Sequence, residues 1–181
     1  MACGVILPLI TFMWLTVERS KVPLHVTELS VAARAGSIDV IVVLAMIAVV
    51  FFKRRRRMID AGFVTVSIVG ATIINLTAKL IMDDSSPERD GNLAFAIGFP
   101  SGTAMTTFAL GLAVTITAWR TNWRWPIATI ALISTVIVAL GLVRGAANRP
   151  DDVVAGWALA TVWVTILAGI RSLMLSPRQT D

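Results

Sequence analysis

The sequence predicts an all-α protein: an integral membrane bundle of about six transmembrane helices, forming a single membrane domain over residues 1–181. Three observations carry that class. The chain is 56% hydrophobic with a mean hydropathy of +0.80, more apolar surface than a soluble domain of 181 residues needs. Six segments approach the roughly 20 apolar residues that a bilayer core requires. Basic residues gather at the ends of those segments, where membrane topology places them.

In chain order the segments are Ala2–Val17, Ser37–Phe52, Ile59–Met82, Gly102–Trp119, Pro126–Val143 and Val153–Ile170. The first two are short. Ala2–Val17 has neither the basic lead nor the small-residue cleavage site of a signal peptide, so it is expected to be an uncleaved span. "KRRRR", Lys53–Arg57, separates the second and third spans and reads as a cytoplasmic anchor. That orientation puts both termini and "WRTNWRW", Trp119–Trp125, in the cytoplasm, with its tryptophans as an interfacial belt. The expected membrane is the bacterial inner membrane. Glu18–Gly36, Asp83–Ser101 and Arg144–Asp152 then face outward.

A net charge of +5 and a pI near 10.7 would suit nucleic acid, but the charges sit at span ends, so no nucleic-acid partner is expected. Cys3 is the lone cysteine, which excludes a disulfide or a zinc-ligand framework; no metal or cofactor is expected. Membrane lipids are the expected surroundings, and a membrane protein partner is admitted.

The outward face holds more basic residues than topology asks for: Arg19, Lys21, Arg34, Lys79, Arg89, Arg144 and Arg149. A mixed-charge site for an anion is one reason for that density; a solvated loop surface is the other. Three outward stretches converge on the first. They are "KLIMDDSSPER" (Lys79–Arg89), "FPSGT" (Phe99–Thr103) and "RGAANRPDDVVAGW" (Arg144–Trp157). Cations near span ends, as at Lys79 and Arg144, usually have a partner or ligand. Ser101, Gly102 and Thr103 open a helix, whose first N–H groups and dipole favour an anion. Gly102 lets the backbone approach an oxyanion closely. Lys79 with Arg89 or Arg144 would neutralise a phosphate. Thr103 is expected to cap the helix and to offer its hydroxyl to a phosphate oxygen. Asp152 could orient or counterbalance a neighbour.

These stretches resemble the type 2 phosphatidic acid phosphatase family, membrane lipid phosphatases related to vanadium haloperoxidases. The family's motifs are K-x-x-x-x-x-x-R-P, P-S-G-H and S-R-x-x-x-x-x-H-x-x-x-D, and the resemblance covers about residues 60–170. In the first motif Lys79 and Pro87 match, Ser86 replaces the arginine, and Arg89 stands close by as a substitute. In the second, Pro100, Ser101 and Gly102 match and Thr103 replaces the histidine. In the third, Asp152 matches, Asn148 replaces the histidine, Gly141 and Leu142 replace the serine and arginine, and Arg144 follows two residues late.

The resemblance implies a phosphohistidine mechanism whose nucleophile and general acid this chain lacks. It also implies a ligand class: phosphatidic acid, phosphatidylglycerol phosphate or a polyprenyl pyrophosphate. The expected function is therefore a retained, outward-facing pocket for a lipid phosphate or pyrophosphate in a catalytically inactive relative, or a partner subunit. Two alternatives stand beside it: an active lipid phosphate phosphatase with a rearranged site, and a structural assembly subunit without ligand. His25, the only histidine, lies in the first outward loop, and Asp39 lies near the outer end of the second span. His25 is expected to be a solvated or interfacial histidine and Asp39 a snorkelling or helix-paired carboxylate, neither a catalyst.

Overall fold

The computed structural model describes residues 38–81, 99–144 and 148–175. Every regular element among them is a helix: α1 (Ile38–Arg54), α2 (Met58–Ile81), α3 (Gly102–Ala118), α4 (Arg124–Arg144) and α5 (Pro150–Leu175). The expectation of six spans is met in part. Three helices, α2, α4 and α5, are long and apolar enough to cross a membrane. α1 and α3 have 17 residues each, about 25 Å at 1.5 Å per residue and short of a hydrocarbon core of about 30 Å. Ala2–Val17 lies outside the described residues.

α3 is the axis of the bundle. It packs against α5, α2 and α4, and more lightly against α1. Its sequence explains this position. Gly, Ala and Thr recur along "GTAMTTFALGLAVTITA", and small side chains let neighbouring helices approach closely in a membrane. Met105, Ala109 and Ala113 of α3 meet Val64 and Ala71 of α2 and Ala160 and Val164 of α5 in the main core. A second cluster joins Ala104, Val138, Leu142, Val153 and Trp157 of α3, α4 and α5 beside the start of α5. Gly70 admits the Trp163 ring, whose Nε1–H donates to Val66 O and Ser67 O of α2 at 3.3 and 3.2 Å.

Hydroxyls within the helices are mostly spent on their own backbone. Thr65, Ser67, Thr72, Thr77, Thr106, Thr135 and Thr161 each donate to the carbonyl four residues earlier. Hydrocarbon offers no other acceptor, so this pairing is what makes them tolerable.

The basic run does more than anchor the chain. Arg56 takes φ 56°, and the amides of Arg56 and Arg57 return to Lys53 O and Phe52 O at 3.0 and 2.9 Å. This is the left-handed termination that usually recruits glycine. It aims Arg57 at α2, where its Nε donates to Asp60 Oδ2 at 2.5 Å. Arg57 also donates to Thr117 O at the end of α3 at 2.9 Å. Arg171 of α5 completes the cluster, donating to Asp60 Oδ1 from Nε and Nη2 at 2.8 and 2.5 Å. The buried carboxylate thus ties α2, α3 and α5 at one end of the bundle.

Candidate anion-binding site

The opposite end holds the described parts of the three stretches singled out above: the end of α2 at Lys79, the turn before α3, and the end of α4 with the start of α5. The chain enters α3 through Phe99–Pro100, a cis peptide, and Ser101. Ser101 is extended (φ −65°, ψ 110°), and its Oγ accepts from Ala104 N at 3.4 Å, so Ser101 is the N-cap of α3. The cap expected at Thr103 is therefore at Ser101, because the helix begins at Gly102 and Thr103 is already inside its first turn. Thr103 is buried there, beneath the turn.

α2 and α5 hold this turn in place. Asn75, fully buried on α2 one turn before Lys79, donates from Nδ2 to Pro100 O at 2.8 Å. The Ser101 amide donates to Asp152 O of α5 at 3.0 Å. Gly156 of α5 lies flush against the turn: a Cβ there would sit 2.8 Å from Ser101 O and 3.2 Å from Met105 N. These contacts revise the donor set expected for an anion. Ser101 N–H is committed to α5, and Ala104 N–H to the cap. The amides of Gly102 and Thr103 remain as first-turn donors, which an α-helix leaves without intrahelical partners.

The start of α5 is equally determined by its sequence. Pro150 occupies the first helical position, where its missing N–H costs nothing. Asp152 reaches back, its Oδ2 accepting from Arg149 N at 2.8 Å, one half of a capping box. Asp152 is thus a buried structural carboxylate that organises the helix start, while its carbonyl binds the α3 turn. Asn148, also buried, joins this start to the end of α4 by donating from its backbone N to Leu142 O at 3.2 Å.

Two cations stand at helix ends. Lys79 lies half-buried in the last turn of α2, and Arg144 in the last turn of α4. Arg144 Nε is shielded from solvent and has no acceptor among the described residues. Asn75 Oδ1 and Trp157 Nε1 are likewise buried without a partner there. A buried guanidinium N–H without an acceptor costs free energy, and an oxyanion relieves it. Arg89 and His25 lie outside the described residues. Asp39 lies in the first turn of α1.

Two contributors were not singled out from the sequence: Asn75 and Gly156. Asn75 had a legible signal, an amide within an apolar span on the same helical face as Lys79. Gly156 had none, because its role depends on a turn 55 residues away. A cleft of about 760 Å³ among the described residues is lined by Arg55, Arg57 and Trp123 toward the other end.

A family model described as the PAP2 superfamily matches residues 60–173. No curated protein and no solved structure matches the chain.

Proposed function

The chain belongs to the PAP2 superfamily, and on that premise we propose that it holds a lipid phosphate or pyrophosphate at the Ser101 turn without hydrolysing it. It is a lipid-phosphatase-like membrane protein. What carries the proposal further is the contrast between binding shell and reactive groups. The turn is capped, buried and fixed by α2 and α5, and Arg144 Nε, at the end of α4, has no acceptor among the described residues. Yet Thr103 and Asn148 stand where the family places its histidines. An amide nitrogen has no available lone pair with which to attack phosphorus. A threonine hydroxyl is far too weak an acid to protonate a leaving alkoxide near pH 7.

The ligand is held, in this reading, by the Gly102 and Thr103 amides, the α3 dipole, Lys79 and Arg144, with Arg89 a further cation. Its class is that of the family's substrates: phosphatidic acid, phosphatidylglycerol phosphate or a polyprenyl pyrophosphate. Lys79→Ala and Arg144→Ala are each expected to weaken binding of a short-chain phosphatidic acid by roughly 10- to 150-fold, from the 1.5–3 kcal/mol of a hydrogen bond to a charged group. Arg55→Ala, at the other end, should leave it unchanged. Titration of the detergent-solubilised protein decides. Equal affinity across the three variants, or no binding by the parent, would favour a structural subunit.

Turnover separates this reading from an active phosphatase. Phosphate release from phosphatidic acid or a prenyl pyrophosphate should stay at background. A rate abolished by His25→Ala would give His25 a catalytic role and overturn the inactive reading.

The proposed setting is the bacterial inner membrane, with both termini and Lys53–Arg57 in the cytoplasm and the site facing outward. In a Cys3→Ser background, a membrane-impermeant thiol reagent added to intact cells should label Arg149→Cys and spare Arg55→Cys. The reverse pattern would invert the topology.

A further inference from the structure

α1 and α4 both pack on α3 but not closely on each other, and the cleft of about 760 Å³ lies between them over α3. Its walls agree in length. The lining runs from Leu44 to Arg55 along α1 and its turn, and from Thr107 to Ala118 along α3, each an interval of eleven residues. At 1.5 Å per residue that is about 16 Å. A bilayer core of about 30 Å gives each leaflet about 15 Å, so the cleft is as deep as one leaflet.

Its charge lies at one end only. Leu44, Ile47 and Ile130 line the uncharged part, whereas Arg55, Arg57 and Trp123 line the mouth. Trp119, Trp123 and Trp125 are all exposed there and mark the headgroup level, where amphipathic rings settle. The two arginines differ. Arg57 is committed to Asp60 and to Thr117 O. Arg55 is exposed, and its guanidinium lies over the ring of Phe51 in the cleft wall, 5.5 Å from the centroid. The Arg55 side chain makes no hydrogen bond or ion pair among the described residues. A guanidinium stacked in this way keeps its N–H edge open for a bidentate phosphate.

The surrounding charge asks for an anion as well. Among the described residues this end carries eight cations, Lys53 to Arg57, Arg120, Arg124 and Arg171, against one carboxylate, Asp60. Asp60 serves Arg57 and Arg171, which leaves six cations without a carboxylate there. An acidic peptide or a nucleic acid would match the charges and leave the apolar walls unused. A phospholipid with an anionic headgroup uses both, and basic pockets between membrane helices suit such headgroups.

We propose that the cleft binds one anionic phospholipid from the leaflet at the basic end, with an acyl chain between α1 and α4 and the phosphate on the Arg55 guanidinium. This site is separate from the Ser101 turn, at the opposite end of the bundle. A short-chain phosphatidic acid fills little of a cleft about 16 Å deep, so titrations at the turn do not report on it.

The full chain, purified in detergent, is equilibrated with equal amounts of dioleoyl phosphatidylglycerol and dioleoyl phosphatidylcholine, and retained lipid is counted by native mass spectrometry. One phosphatidylglycerol per chain should be retained in preference to phosphatidylcholine. Arg55→Ala should weaken that retention by roughly tenfold or more, the loss of a hydrogen bond to a charged group. Arg54→Ala removes the same charge from outside the cleft and should cost no more than about fivefold, the share of one basic residue near an anionic surface. Ile130→Trp, which fills the cleft, should lose the lipid with Arg55 intact; Ile133→Trp, exposed outside it, should not. Glycerol phosphate, the headgroup without chains, should not displace the lipid. Lys79→Ala should retain it like the parent.

Equal retention of the two lipids would mean ordinary boundary lipid and overturn the proposal. Equal losses in Arg54→Ala and Arg55→Ala would mean diffuse attraction to a basic surface, and loss in Lys79→Ala would move the lipid to the Ser101 turn; either overturns it. No retained lipid in the parent, the result expected of a cleft covered by protein, does the same.

Discussion

Asp60→Ala is expected to be the most damaging single substitution at the basic end, costing about 3 kcal/mol of stability. Asp60 is 6% exposed and accepts from two arginines, Arg57 of the α1–α2 turn and Arg171 of α5. Removing one partner of a buried ion pair costs about 3–5 kcal/mol, because the charge left behind stays poorly solvated. The lower end applies here. The Arg57 side chain is 35% exposed and can turn to water, whereas Arg171 at 16% cannot do so readily. Arg57 also keeps its bond to Thr117 O. Asp60→Asn retains one acceptor oxygen and should lose about half as much. Thermal unfolding in detergent, with the double variant Asp60→Ala, Arg171→Met, reads the coupling. A loss under about 1 kcal/mol would mean that the cluster behaves as an exposed pair.

Gly156→Ala should act on the other end, and with a sign opposite to helix propensity. In a helix interior, alanine is preferred over glycine by about 1 kcal/mol. At Gly169, where a Cβ meets nothing within 4 Å, Gly→Ala should follow that rule and stabilise slightly. At Gly156 the new Cβ would lie 2.8 Å from Ser101 O. The obstacle is backbone, held by the bond from Ser101 N to Asp152 O and by Asn75 on Pro100 O, so no flexible side chain can give way. Overpacking of this kind costs about 1–3 kcal/mol. Because the strain falls on the turn itself, affinity for a short-chain lipid phosphate should drop along with stability. Unfolding midpoints and phosphate titrations of the two alanine variants test this together. A Gly156→Ala protein as stable as Gly169→Ala would show that the turn is not tightly clamped.

The helices were legible in the sequence because hydrophobic runs reveal length and little else. Gly102–Trp119 was expected and Gly102–Ala118 is observed. The largest discrepancy is at α5, expected as Val153–Ile170 and observed as Pro150–Leu175. Hydropathy excluded Pro150, Asp151 and Asp152 from the span, yet Pro150 and the Asp152 cap are what start the helix. At the far end Arg171 reads as a stop by hydropathy and is in fact paired with a carboxylate on α2.

The site shows the same division. Ser101 and Gly102 declare themselves because a small-residue turn before an apolar helix is a local pattern. Which residue caps, which amides remain open and what clamps the turn are set by Asp152, Asn75 and Gly156. Those relations run between helices, and no window of sequence contains them.

The Asp60 cluster also imposes an order on biogenesis. Arg57 is synthesised three residues before Asp60, whereas Arg171 follows it by 111 residues. While α2 awaits the rest of the chain, its acid is neutralised by the arginine of the preceding turn. Only when α5 has been made can Arg171 close the second half of the pair. A chain cut short before α5 therefore carries an incompletely paired carboxylate at the basic end of the bundle, a local charge defect that distinguishes it from a chain in which Arg171 is in place.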